Sequence, residues 1–272
     1  MGRGRKRKGY VAFKGRGPAD HGFTSQGGAS GIGLATVQAL HRLGANVYVA
    51  DYADKTPANF PSSTEQSTVQ FFGRCDISRR EDCHNFISSI PGRLDGVVNC
   101  AGIAKTEGRI ATDELWNRTI AVNLTGTWNM STEAVLRMSK QDVRTSSNGP
   151  FVGTTNKSVG QGAIVNISSG AGFRGHPELA AYCASKHGVH GVTKAMSKDW
   201  PHIRMNVVAP GVIKTPIIGN TPEVAAKIQE KLEAVGKKMG LPEDVADVVI
   251  FLLSDASAWM TGQVLSINGG SD

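Results

Sequence analysis

The sequence has few cysteines and no long apolar run, and both absences narrow its class. Its four cysteines are spread along 272 residues, and no two of them form a CxxC pair. This pattern indicates neither the disulfide framework of a small secreted domain nor a zinc site, and it predicts a reducing compartment, the cytoplasm. No stretch approaches the roughly 18 apolar residues of a membrane helix, and no secretory signal is evident. We therefore expect no membrane span.

Acidic residues are missing from the first 16 positions, which hold seven lysines and arginines. This segment accounts for the whole net charge of +7, because the remaining 23 basic residues balance 23 acidic ones. A balanced body gives no electrostatic reason to expect nucleic acid as a partner. We interpret residues 1–9 as a basic, disordered tail, with a nuclear-import or polyanion-binding segment as the alternative.

Short apolar runs alternate with stretches of helical pattern along the rest of the chain. The runs are rich in Val and Ile and lie at 47–50, 97–98, 163–167 and 207–209. The helical stretches lie at 31–43, 79–90, 112–138, 181–199 and 242–254. This alternation predicts one α/β domain over residues 10–272, a Rossmann-type doubly wound parallel sheet with helices on both faces. Such a sheet binds its ligand at the carboxyl ends of its strands.

A glycine-rich turn before the first helical stretch is typical of dinucleotide sites. Gly27, Gly31 and Gly33 would let the backbone approach a pyrophosphate, and the helix that follows would offer free N–H groups. Asp51 ends the next strand 18 residues past Gly33, near the spacing at which an acid meets the adenosine ribose hydroxyls. Because Asp51 would repel a 2′-phosphate, the pattern favours NAD(H), with NADP(H) as the alternative.

A tyrosine and a lysine four residues apart form the second notable pattern. Tyr182 and Lys186 would share one face of a helix, although this spacing alone often marks only a surface pair. Ser169 lies 13 residues before Tyr182 and follows an apolar run, so its hydroxyl would stand at a strand end. A phenol has an ordinary pKa near 10, and a neighbouring ammonium favours the phenolate. The three residues therefore predict acid–base chemistry.

Taken together, these motifs resemble those of the short-chain dehydrogenase/reductase family, over about residues 27–268. The catalytic tetrad of that family is matched by Asn123, Ser169, Tyr182 and Lys186. The 13-residue spacing to Tyr182 favours Ser169 over the neighbouring Ser168. Two positions depart from the family's motifs. Gln26 stands where the glycine motif TGxxxGxG has threonine, and Cys100 replaces the second asparagine of NNAG.

The resemblance also implies a set of cofactor-binding residues. Besides the three glycines, Asp51, Tyr182 and Lys186, this set comprises Ser30, Ile32, Asp76, Ile77, Asn99, Ala101, Gly102, Pro210, Gly211, Ile213 and Thr215. Asp76 resembles the acid that contacts the adenine, while Ile213 and Thr215 match positions that touch the nicotinamide end. No metal is implied, because the cofactor carries the difficult chemistry.

The activity implied by the resemblance is that of a short-chain alcohol dehydrogenase or ketoreductase. It would interconvert a secondary alcohol and a ketone on a neutral, small organic substrate by NAD(P)-dependent hydride transfer. Tyr182 would exchange the proton, Ser169 would polarise the substrate oxygen, and Lys186 would lower the Tyr182 pKa and bind the nicotinamide ribose. Asn123 would hold a water that relays protons. The family also implies a homodimer or a homotetramer.

The segment before the glycine turn departs from what the fold requires. Residues 14–26 are polar and turn-like, whereas 10–13 would make a better strand. We therefore interpret 14–26 as an insertion. An insertion there would disrupt the glycine turn, which favours the alternative function of a catalytically impaired binding or scaffold protein.

Two further segments are interpreted from their composition and position. We interpret 140–161 as a surface loop. We interpret 214–239 as a substrate lid containing an amphipathic helix.

Overall fold

The fold is built on a seven-stranded sheet in which all the pairings are parallel. A computed structural model of the chain describes residues 22–65, 67–146, 157–218, 222–234 and 236–270. The strands are β1 (Gly22–Gln26), β2 (Asn46–Ala50), β3 (Val69–Phe72), β4 (Leu94–Asn99), β5 (Arg144–Ser146), β6 (Lys157–Gly160), β7 (Gly162–Ile167), β8 (Ile203–Pro210) and β9 (Val264–Ile267). The order across the large sheet is β3-β2-β1-β4-β7-β8-β9, and β5 pairs with β6 separately.

Helices cover both faces of this sheet, as the alternation of patterns predicts. They are α1 (Gly31–Arg42), α2 (Arg80–Ser89), α3 (Asp113–Ile120), α4 (Gly126–Met138), α5 (Ala180–Asp199), α6 (Pro222–Glu233) and α7 (Pro242–Leu253). Apolar side chains of α1 and α7 share one core cluster, whereas those of α2, α4 and α5 belong to the other. The predicted fold class, one α/β domain with a doubly wound parallel sheet, is confirmed.

For residues 22–26, strand β1 corrects the interpretation of 14–26 as an insertion. Residues 22–26 lie in the middle of the sheet, and Gln26 is in register with Ala50 of β2 and Asn99 of β4. All five residues of β1 are buried despite their polar character. Backbone pairing on both sides imposes the strand, although Thr24 buries a hydroxyl that has no partner among the described residues. The predicted tail at 1–9, the predicted strand at 10–13 and residues 14–21 lie outside the described residues.

The predicted loop at 140–161 contains more structure than its composition indicates. Strands β5 and β6 pair antiparallel within it, and residues 147–156 between them lie outside the described residues. The pair is fastened to the body by Arg144, which donates to the carboxylate of Asp255 at 3.1 Å. Lys157 donates to the Asp255 main-chain oxygen at 3.2 Å. The described ends of this segment are therefore an antiparallel strand pair that is bound to Asp255.

The segment 214–239 contains the expected helix, α6. Its base is closed by a backbone bond at 2.9 Å from the N–H of Lys214 to the carbonyl of Gly240. Residues 219–221 and 235 lie outside the described part of the chain, so closure of this segment over a substrate stays a prediction. None of the helices within the described residues combines the length and apolar character needed to cross a membrane.

Candidate active site

The glycine turn connects β1 directly to α1, and two of its glycines are required by their backbone conformation. Gly27 and Gly31 have φ angles of +67° and +51°, in the left-handed region that favours glycine. A Cβ on Gly27 would lie 2.6 Å from the Cα of Ala101. A Cβ on Gly33 would overlap the carbonyl oxygen of Gly27. The turn therefore presents bare backbone at the carboxyl end of β1.

The start of α1 is open to an anion. Its N-cap residue, Ser30, is exposed, and its hydroxyl caps no N–H group of the helix. The first turn, which includes Ile32, contains no acidic residue that would compensate the positive end of the helix dipole. Free N–H groups, the dipole and the glycine cradle together fit the pyrophosphate of a dinucleotide.

Asp51 lies at the end of β2, beside the glycine turn. One carboxylate oxygen accepts a hydrogen bond from the N–H of Ala29 at 2.9 Å, and the other accepts one from Ala53 at 2.9 Å. These bonds hold the carboxylate next to the loop that would hold the pyrophosphate. That Asp51 binds the ribose of a dinucleotide stays a prediction.

Asp76 follows β3 and joins a small polar group at the same edge of the sheet. Burial opposes its ionisation, but hydrogen bonds from Ser78 and Arg118 outweigh burial and hold the Asp76 pKa below its usual value. The Arg118 guanidinium lies 3.2 Å from the carboxylate and 5.9 Å from the centre of the Tyr52 ring. Sequence reasoning missed Arg118, which has no motif of its own.

Ile77 and Asn99 face the interior. The side chain of Ile77 packs in the core, and its carbonyl accepts from Asn129 at 3.0 Å. The Asn99 amide donates to Asn166 at 2.7 Å and to Ser131 at 2.9 Å. These bonds brace β4 against β7 and α4. That either residue contacts a cofactor stays a prediction.

The segment after β8 lies beside the glycine turn. Pro210 ends the strand, and the N–H of Gly211 donates to Ile267 of β9 at 2.9 Å. Ile213 is buried, whereas Thr215 is half-buried and its methyl group lies 3.1 Å from the position that a Gly31 Cβ would take. The predicted pyrophosphate and nicotinamide segments are therefore neighbours.

The two serines after β7 have different partners. Ser168 is buried, and its hydroxyl donates to the carbonyl of Lys186 at 3.1 Å. Ser169 is the N-cap of a short 3-10 turn, accepts from the N–H of Ala171 at 3.2 Å and makes a side-chain hydrogen bond with Tyr182. Ser169, not Ser168, therefore stands beside the phenol in the first turn of α5.

Lys186 and Tyr182 influence one another less than the sequence predicts. Burial raises the Tyr182 pKa above its ordinary value, and the hydrogen bond with Ser169 acts in the opposite direction. Burial lowers the Lys186 pKa to about 8. The Lys186 ammonium donates to the carbonyl of Ile167 at 3.0 Å. The prediction that Lys186 lowers the Tyr182 pKa is not met, because burial dominates at both groups.

Asn123 links the loop after β4 to α5. It lies in the π-helical turn Ala121–Thr125 between α3 and α4, a local widening that is frequent at functional sites. Its side-chain oxygen accepts from the N–H of Ile103 at 2.8 Å, and its amide donates to the Ile103 carbonyl at 2.9 Å and to Ser185 at 3.1 Å. The Ser185 hydroxyl donates to the carbonyl of Tyr182 at 2.7 Å.

A comparison with known proteins identifies the family. The family described as Enoyl-(Acyl carrier protein) reductase matches residues 27–272. Over 258 residues the chain is 34% identical to the short-chain dehydrogenase/reductase ABA4 of Pyricularia oryzae, with 89% of this chain and 88% of the relative covered. The chain belongs to the short-chain dehydrogenase/reductase family. The family's members are oxidoreductases that use NAD(H) or NADP(H), which agrees with the expected class of activity and cofactor.

Other short-chain dehydrogenases/reductases match over nearly the whole chain. The 3-oxoacyl-[acyl-carrier-protein] reductase FabG of Thermotoga maritima is 35% identical over 254 residues, which cover 90% of this chain and 94% of that protein. Levodione reductase has a similar structure, with a TM-score of 0.80 and 26% identity over 93% of this chain and 97% of the other. The aldohexose dehydrogenase of Thermoplasma acidophilum has a TM-score of 0.76 and 28% identity, with 93% and 94% covered.

The two departures from the short-chain dehydrogenase/reductase motifs lie side by side. The carbonyl of Gln26 accepts from the N–H of Cys100 at 3.1 Å, and its side-chain oxygen accepts from Ala101 at 3.3 Å. The longer Gln26 side chain therefore joins the glycine turn to the end of β4. Burial raises the Cys100 pKa to about 12, and the nearby Lys186 acts against that rise. Cys100 is thus a neutral thiol beside the site.

Proposed function

We propose that this protein interconverts a secondary alcohol and a ketone on a neutral, small organic substrate, with NAD(H) as the favoured cofactor. The observation that carries the proposal is the grouping of the predicted tetrad, in which Asn123 and Lys186 both lie beside Gly102 and Ser169 bonds Tyr182. A Cβ at Gly102 would lie 3.3 Å from the Asn123 side-chain oxygen and 3.4 Å from the Lys186 ammonium. Tyr182 and its partner Ser169 complete the group.

The state of Tyr182 suits proton donation. Because burial raises its pKa above the ordinary value, the phenol carries its proton at neutral pH. In the reductive direction Tyr182 would give this proton to the carbonyl oxygen, and Ser169 would hold that oxygen by a hydrogen bond. A bound nicotinamide cofactor would supply the hydride.

Lys186 would return a proton to Tyr182 after Tyr182 has protonated the substrate. Its pKa of about 8 lies close to neutral pH, so it can gain and lose a proton under working conditions. Its ammonium already donates to the Ile167 carbonyl at 3.0 Å, which fixes it near the tyrosine ring. Asn123 would hold both the loop at Ile103 and the relay water that the family resemblance implies.

The preference for NAD(H) rests on Asp51. Its carboxylate is fixed beside the glycine turn by the N–H groups of Ala29 and Ala53, so it cannot easily swing away from a ribose. Arg118 at this edge is engaged in an ion pair with Asp76 at 3.2 Å. A 2′-phosphate would therefore meet a fixed negative charge.

The case for a neutral substrate rests on exposed apolar side chains in the two segments that flank the tetrad. Phe173 ends the short turn that begins at Ser169, Val212 and Ile217 lie in the segment after β8, and all three are exposed. Relatives named as levodione reductase and as 3-oxoacyl-[acyl-carrier-protein] reductase indicate a carbonyl as the reacting group. A carrier-linked ketone is the specific alternative that the FabG likeness favours.

A substrate panel tests the proposal. The purified protein is incubated with NADH or NADPH and with free ketones, sugars or a 3-oxoacyl thioester, and absorbance of the reduced nicotinamide is followed. We expect turnover of free ketones with NADH. Turnover of the thioester alone would indicate that the substrate is a carrier-linked ketone and not a free one.

The impaired binding or scaffold protein is the competing function. Its premise was a disrupted approach to the glycine turn, but β1 is continuous with that turn and pairs on both sides. Calorimetric binding of NADH without turnover of any compound in the panel would favour it.

We also propose that the protein is a homodimer or a homotetramer. The exposed side chains of Trp116 and Trp128 support this proposal, because they could pack against a second subunit. Light scattering of the purified protein measures the mass of the assembly.

A further inference from the structure

The loop between β4 and α3 touches α5 through the side chain of Glu107. Glu107 is half-buried, whereas both of its sequence neighbours are exposed. Its two carboxylate oxygens accept from the N–H of Ala181 at 3.0 and 3.1 Å. Its own N–H donates to the carbonyl of Glu178 at 2.9 Å. One residue therefore binds the start of α5 on two sides.

The start of α5 needs such a partner. The first N–H groups of a helix have no acceptor within the helix, and Ser, Thr, Asp or Asn usually caps them. Here the N-cap is Leu179, which cannot do so, and the first turn contains no acid. Glu178, just before it, has a φ of +61°, a left-handed conformation that is uncommon outside glycine. Glu107 supplies the missing acceptor from a distant segment.

This cap lies next to the proposed proton donor. Ala181 is followed by Tyr182, so movement of the first turn moves the phenol relative to Ser169. The same loop is fixed four residues earlier, where Ile103 is bound by Asn123. We propose, on the basis of the proposed function, that Glu107 is a positioning residue that holds the first turn of α5, and with it Tyr182, in the productive place.

Variants of Glu107 distinguish the effect of side-chain length from the effect of the negative charge. In Glu107→Gln the side-chain oxygen can still accept from Ala181, so the turn stays held. In Glu107→Ala no acceptor remains, and in Glu107→Asp the oxygen falls short by one methylene. Glu114→Ala is the matched control, because it removes an exposed carboxylate from the first turn of α3.

The kinetic test is steady-state ketone reduction by the four variants and the wild type. We expect Glu107→Ala to lower kcat about tenfold with KM changed less than about twofold, because misplacing a reacting group costs rate more than binding. Glu107→Asp should lie between Ala and wild type, and Glu107→Gln and Glu114→Ala should stay within about threefold of wild type. If Glu107→Ala does not fold, the test is the comparison of Glu107→Asp with Glu107→Gln, in which the Asp variant should have the lower kcat. An unchanged kcat in Glu107→Ala, or equal losses in Gln and Ala, would overturn the proposal.

A second readout does not depend on turnover. Hydrogen exchange of the amides at 180–183 should be faster in Glu107→Ala than in wild type, and restored in Glu107→Gln. Equal exchange in all variants would overturn the proposal. A wild-type protein that turns over no substrate would defeat the proposed function, whereas exchange would still decide whether Glu107 holds the helix.

Discussion

The ammonium of Lys186 lies 5.7 Å from the centre of the Tyr182 ring and donates to the carbonyl of Ile167, not to the phenol. Burial governs both groups, raising the pKa of Tyr182 and lowering that of Lys186 to about 8. The first group to lose its proton as pH rises is therefore the lysine. Because the two residues lose their protons in different pH ranges, a pH profile of the rate can distinguish their roles.

The rate of ketone reduction should decline as pH rises through about 8, the Lys186 pKa. The reason is that Lys186 becomes neutral there while the Tyr182 phenol still keeps its proton. In Lys186→Arg the guanidinium stays charged, so the residual activity should lose this decline. Rate profiles between pH 6 and pH 10 measure it. A decline at the same pH in Lys186→Arg would assign it to another group.

Gly33→Ala should abolish most cofactor binding. The added Cβ would overlap the carbonyl of Gly27 and force the turn open, and we expect at least a tenfold weaker Kd for NADH, about 1.4 kcal/mol or more. Gly191→Ala in the middle of α5 is the control, because beyond the helix's own backbone no atom of the described residues lies within 4 Å of its added Cβ. Titration calorimetry measures both variants. Unchanged NADH affinity in Gly33→Ala would remove the dinucleotide from this turn.

Asp51→Asn should weaken the discrimination against NADPH. The amide oxygen can still accept a hydrogen bond from Ala29 or Ala53, but the charge that repels a 2′-phosphate is gone. We expect the ratio of kcat/KM for NADPH to that for NADH to rise about tenfold, the effect of about 1.4 kcal/mol. If wild type already uses both cofactors equally, the assignment of preference to Asp51 is wrong.

Thr24→Val should stabilise the protein by about 1 kcal/mol, because it removes a buried hydroxyl that has no partner in the described part of the chain and keeps the shape of the side chain. Thr24 is 1% exposed in β1, the central strand. Urea unfolding followed by circular dichroism gives the change in the free energy of unfolding. A loss of stability would indicate that the hydroxyl has a partner or that β1 is not buried.

His190 should make the fold sensitive to acid. Burial, with smaller contributions from His187, Lys194 and Lys186, lowers its pKa from 6.5 to about 4, so it is neutral in the fold and protonated in the unfolded chain between these values. The unfolded chain binds more protons in that window, and stability is lost as pH falls from 6.5 toward 4. Unfolding of His190→Gln at both pH values should show a smaller loss than wild type.

Most of the fold could be predicted from the sequence, because β2, β4, β7 and β8 are buried runs of apolar residues. Strand β1 could not, since its sequence is polar and pairing with β2 and β4 imposes the conformation. The edge strands β3 and β9 were missed for a different reason. Their residues are only partly buried, so no continuous apolar run marks them.

The structure brings Ser169, Tyr182 and Lys186 close together, as the sequence predicts, because the spacing within one helix and one strand end is local; their roles stay predictions. The sequence could not reveal Glu107, whose bonds to Ala181 span 74 residues of sequence. Nor could it give the pKa directions, which depend on burial. A charge pair read from spacing alone predicted a lowered Tyr182 pKa, and the packed site reverses that direction.

The proposed function depends on Tyr182 as the group that delivers the proton during hydride transfer. The experiment that tests this role compares the kcat of NADH-dependent ketone reduction by Tyr182→Phe and by wild type, with the NADH affinity of each measured by calorimetry. We expect kcat to fall by about 100-fold or more in Tyr182→Phe, the usual contribution of a general acid, and NADH affinity to stay within about threefold of wild type. A Tyr182→Phe variant that keeps the wild-type kcat would contradict this role.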